Sequence, residues 1–114
     1  MLLAFATALA AATPSVETAA SIAALWLHPE PFLRGLAERG FIWHDWSGGH
    51  AAGSVLVWVD GTGRPQHACY LLEGGLALNK DAQAWFRPRQ VLPLTQVLKN
   101  WADEGFTLQQ YIRT

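Results

Sequence analysis

The spacing of apolar positions changes once along this chain, close to residue 50. Ahead of that point apolar residues recur at helical spacing; beyond it they run continuously or alternate, which are strand periods. The stretch "MLLAFATALAAATPSVE" predicts a buried Ala/Leu-rich helix from Leu2 to Ala12. It stops at Thr13-Pro14, because the residue before a proline avoids the α region. A second helical segment is expected at Val16–Leu27. In "EPFLRGLAERGF" the residues Phe32, Leu33 and Leu36 share one helix face, with Gly40 as the C′ residue and Phe41 packing back over the end. "HDWSGGHAAG" reads as a Ser/Gly-rich loop. "SVLVWVD" is β-branched and continuous, the pattern of a strand buried on both faces. "DGTGRP" is a turn in which Asp60-Gly61 and Gly63 supply unusual backbone angles. Two short strands follow in "QHACYLLEGGLALNK", joined at Gly74-Gly75, then a short strand at Trp85-Phe86. "PLTQVLKNWADEG" predicts a last helix with Val97, Leu98 and Trp101 on its apolar face and Gly105 as its stop, and "FTLQQYIR" a closing strand. Helices first, then an antiparallel sheet with one late helix, define an α+β fold in which N-terminal helices pack on a small antiparallel sheet.

Composition narrows the function classes. The 114 residues are enough for one domain, 1–114, able to bury most of its apolar surface without staples. A net charge of −1 provides no field for nucleic acid or an anionic membrane. The single cysteine excludes an internal disulfide framework and a multi-cysteine zinc site. Six tryptophans in so short a chain imply that some line a groove or a partner surface. The apolar start also resembles the h-region of a signal segment, but no basic residue precedes Arg34. A run this short does not span a bilayer, which needs about 20 residues. The buried helix is therefore the reading adopted. It favours the cytoplasm, whereas export would follow if residues 1–13 were a signal segment.

The chemistry centres on one strand. His67 opens it and Cys69 follows two places later, on the same face. Such neighbours run side by side without converging, and a mid-strand cysteine lacks the electropositive setting that activates a thiol. Cys69 thus reads as buried and inert. The Gly74-Gly75 turn folds the next strand back and brings Asn79 toward His67. An amide there accepts from one ring N–H, fixes the tautomer and leaves the other nitrogen as a base.

"HACYLLEGGLALNK" resembles the His-strand signature of the NlpC/P60 superfamily of papain-like cysteine peptidases and amidases: a histidine opening an apolar strand, a Tyr-Leu and Gly-Gly turn, and a polar residue twelve positions after the histidine. Here these are His67, Tyr70-Leu71, Gly74-Gly75 and Asn79. "GSVLVWVDGTGRPQ" is similar to the strand and turn that precede it, with Ser54 where the family usually has aspartate. The tail "VLPLTQVLKNW" and "LQQYIR" resembles the helix and last strand of some members. The likeness covers residues 32 to 114. It implies a papain-like fold, His67 as base, Asn79 as orienter, and a nucleophilic cysteine at a helix N-terminus upstream. No cysteine precedes Cys69 in these 114 residues. Two readings follow: the nucleophile helix is Leu2–Ala12 with its cysteine just ahead of Met1 in a longer product, or catalysis has been lost and a binding module remains. As written, the chain is expected to be inactive. The ligand is a peptide or small amide in the first case and a protein partner in the second.

Other constellations carry less. His44, Asp45 and His50 in a flexible loop make a poor metal set, so no metal is expected, and no cofactor motif is found. Ser47 and Ser54 lack a G-x-S-x-G context. Trp43, Trp46 and Trp85 are candidate binding residues for a groove, whereas Trp58 is assigned to the core. Lys80, Arg87 and Arg89 read as a solvated face beside the cleft.

Overall fold

A computed structural model describes residues 2–13, 28–49, 51–80 and 89–113. Among them, helix α1 spans Leu2–Ala11, α2 Pro29–Glu38 and α3 Leu94–Asn100. The strands are β1 Phe41–Asp45, β2 Val55–Val59, β3 Pro65–Leu71, β4 Leu76–Asn79, β5 Gln90–Pro93 and β6 Thr107–Arg113. They form one antiparallel sheet of order β1-β6-β2-β3-β4-β5. The fold is α+β. The segments expected at Val16–Leu27 and Trp85-Phe86 lie outside the described residues.

β2 is buried at all five positions, because it lies inside the sheet and both its faces are covered. Val55, Val57 and Val59 meet α1 and α2 through Phe5, Leu9, Phe32 and Leu36. Leu56 and Trp58 meet the opposite layer, built on Leu94 and Val97 of α3. Phe5 and Phe32 stack at 4.8 Å between centroids, tying α1 to α2. Their close approach needs Gly35, where a Cβ would stand 2.8 Å from a Leu9 methyl. α2 starts with prolines in its first turn, where missing N–H groups cost nothing, and ends before Gly40, which takes φ +83°.

The turn after β2 is organised by a side chain. Asp60 Oδ1 accepts from the Thr62 hydroxyl at 2.6 Å, the Thr62 N–H at 2.9 Å and the Arg64 N–H at 3.1 Å. The Thr62 hydroxyl and then the Arg64 N–H hold the Asp60 carboxyl down to about 2. Gly63 is in the left-handed region here; Gly61, expected to share that role, is not.

Two strands differ from expectation. β1 extends through His44 and Asp45, which were assigned to a loop, and β5 occupies residues with no strand pattern. Both are sheet edges, exposed at most positions, so their sequences do not alternate. They are strands because β6 and β4 offer them ladder partners. Trp101 lies just beyond α3 as its C-cap residue, and packs on the same core as Leu94, Val97 and Leu98.

Truncating the stacked pair tests this layer. Phe32→Ala should cost about 3–5 kcal/mol, whereas Ile42→Ala on the exposed edge should stay within about 0.5 kcal/mol. Urea midpoints at unchanged slope read both.

Candidate active site

β3 and β4 carry the site. Their register pairs Tyr70 with Leu78 and Leu71 with Ala77. Alternation along each strand then puts His67, Cys69, Ala77 and Asn79 on the sheet face that α3 covers. His67 lies opposite Trp58 on β2. Its ring is tilted against Trp58 at 5.2 Å and stacked on Trp101 at 4.4 Å with 20° between planes. His67 is fully buried and Asn79 nearly so.

The hydrogen bonding fixes the tautomer. His67 Nε2–H donates to Asn79 Oδ1 at 2.7 Å. Nδ1 then carries a bare lone pair, and among the described residues it is a buried side-chain atom with no hydrogen-bond partner. Burial lowers the ring's pKa from its ordinary 6.5 to about 4; the Asn79 bond opposes this, and the positive charge of the chain's amino terminus adds to it. The imidazole is therefore neutral at pH 7, with one nitrogen anchored and the other carrying a free lone pair.

Cys69 is buried completely and burial pushes its thiol up to about 12. Among the described residues no charge or hydrogen bond offsets this by stabilising a thiolate. Ser54, in the position where the resembled family usually has aspartate, is a buried structural group: its hydroxyl donates to Ala51 O at 2.5 Å and accepts from Gln110 Nε2 at 3.0 Å.

The tryptophans do not form one groove. Trp43 lies on the same face of β1 as Phe41, which belongs to the α1–α2 core, and is half-exposed there; Trp58 is on the α3 face. Strand alternation separates them. Trp46 packs against the α3-side core and donates from Nε1 to Gly49 O at 2.9 Å. Trp85 lies outside the described residues, as do His50 and Arg87. No group of three or more His, Cys, Asp or Glu side chains that could hold a metal occurs among the described residues. Lys80, read as solvated, is buried. Arg89 donates to Thr7 Oγ1 at 2.9 Å, which links the start of β5 to α1.

The residue that sequence reasoning missed is Trp101. Its helical spacing marked it as core, but nothing in the spacing showed that it would land on the His67 ring. Comparison with protein-family models, with curated proteins and with solved structures returned no match.

The lowered pKa has a thermodynamic consequence. An unfolded chain protonates His67 as pH falls through 6.5, whereas the folded chain resists until about 4. Unfolding thus takes up a proton in that window, and folded-state stability declines as pH drops from 6.5 to 4, by about 3 kcal/mol. Urea unfolding across this range should show the decline in the native chain and a much smaller one in His67→Gln.

Proposed function

We propose that this chain carries the base and orienter of a thiol peptidase or amidase site of the NlpC/P60, papain-like kind. The observation that supports it is the His67–Asn79 pair: Nε2–H is held by an amide oxygen, and Nδ1 is buried without a partner. In such a site Nδ1 takes the proton of a thiol, and the thiolate attacks an amide carbonyl. The imidazolium then returns its proton to the leaving amine, and water hydrolyses the thioester. Asn79 keeps the ring in the required tautomer through each transfer. Burial leaves the imidazole neutral but a weaker base as it stands, and a thiolate beside it would stabilise the charged ring.

The thiol belongs at the start of α1. A helix N-terminus favours an anion. No residue among the 114 fills that role, and the inert Cys69 does not substitute. A cysteine ahead of Leu2 completes the enzyme; without one the site is degenerate and the chain does not hydrolyse amides.

A second reading is a non-catalytic binding module of the same fold. It is favoured by the complete burial of His67 and by a cavity of about 650 Å³ elsewhere, between the start of α2 and the β2–β3 turn. Pro29, Pro31, Leu33, Arg64 and Pro65 line that cavity, a surface suited to an extended peptide or a protein partner.

Placing a thiol decides between them. Met1→Cys and Leu2→Cys, each with a short extension added ahead of residue 1, should yield a thiol titrating below about 7, returning toward about 8.5 when His67→Ala is added. Thiols that titrate near the free value whatever stands at position 67 would sink the catalytic reading. The native chain should show one slowly reacting thiol and no turnover of peptide amides.

A further inference from the structure

The site is closed, and one side chain closes it. His67 has no exposed surface, and Trp101 stacks flat on its ring while remaining partly exposed itself. The indole therefore has one face on the imidazole and part of its surface in water. The opposite wall is different: Trp58 is buried in the central strand β2, with ladders on both sides. Its backbone is held by both ladders and its side chain is packed in the core.

The backbone that carries Trp101 is lightly held. α3 ends at Asn100, a short 3₁₀ turn covers Ala102–Glu104, and Gly105 at φ +73° leads back toward β6. Ala102 through Gly105 are all exposed. Trp101 N–H to Leu98 O and Glu104 N–H to Trp101 O are both 3.3 Å, longer than the usual 2.9–3.0 Å, and Lys99 O accepts a further cap bond. Phe106 follows, tilted against Trp101 at 6.1 Å between centroids. Segments with exposed backbone and few buried contacts open at lower free energy than the sheet they rest on.

We propose that Trp101 is a hinged cover over the face of the His67 ring, carried by the Trp101–Gly105 turn, and that its displacement admits water and small reagents to the imidazole. Resting on the reading of His67 as a base, this makes the described form the shut form of the site. Trp101 acts through His67 and is a positioning residue. When it swings out, the ring keeps its Asn79 bond and its Trp58 wall, so the base stays oriented while its free face is uncovered.

The test reads access to His67 without relying on turnover, so it remains informative whether or not a nucleophile is supplied. Diethyl pyrocarbonate acylates neutral imidazole, and peptide mapping can follow His67 against the exposed His28 and His44 as internal standards. In the native full chain, His67 should be modified at a rate that does not depend on urea below the unfolding transition. Amides of residues 101–106 should exchange with deuterium faster than those of β3. Trp101→Ala should speed His67 modification about tenfold, the effect of removing one stacking contact from an opening equilibrium. Trp101→Phe, which retains a flat ring, should restore most of the protection. Modification of His67 that rises with urea at the full slope of global unfolding would overturn the proposal. An unchanged rate in a folded Trp101→Ala would overturn it too. Should Trp101→Ala fail to fold, the urea series and exchange on the native chain decide alone.

Discussion

The burial of β2 on both faces is the constraint on which the remaining structure depends. A strand with five consecutive buried residues, flanked by β6 and β3, needs an apolar layer above and another below. α1 and α2 supply one; α3, with the turn that follows it, supplies the other. The ladder with β3 then transmits this sidedness to the site. Because Trp58 lies opposite His67, whatever layer receives Trp58 receives the histidine as well. A slip of one residue in that ladder would turn every β3 side chain over and send His67 toward α1. The orientation of His67 and the packing of the core are thus one register.

The same low-dielectric layer acts oppositely on its two titratable occupants. Burial disfavours charge, so it lowers the histidine to about 4 and raises the cysteine to about 12. Two residues that share a face and lie two positions apart are each driven to the neutral form. A thiolate–imidazolium pair between them is strongly disfavoured, whereas His67 alone is left as a neutral, oriented base. Its bond to Asn79 is what makes this tolerable, since it leaves one buried ring nitrogen unsatisfied instead of two.

The layer also explains why a base so well oriented is hidden. Aromatic rings provide the area that a small layer over one helix otherwise lacks, and Trp58, Trp101 and Phe106 are close enough to touch or stack in succession around the imidazole. The ring they protect is dry, and dryness sets its pKa. Shielding and basicity therefore depend on the same packing.

Much of this was legible in local pattern. The α1 run, the continuous apolar β2, the Gly74-Gly75 turn with both glycines at positive φ, and the His67-to-Asn79 spacing are all short-range features. A tight turn between two strands brings residues twelve apart together whatever surrounds them. The sequence by itself therefore determined the α+β class, the pairing of His67 with Asn79 and the burial of Cys69. The tertiary structure alone decided three other things. It made strands of β1 and β5, whose exposed edges carry no alternation and exist only because a neighbour completes their hydrogen bonds. It inserted β6 between β1 and β2, a long-range pairing that no local period encodes. And it laid Trp101 on His67, because a residue just past a helix end goes where the helix packs, and packing is settled by the whole core.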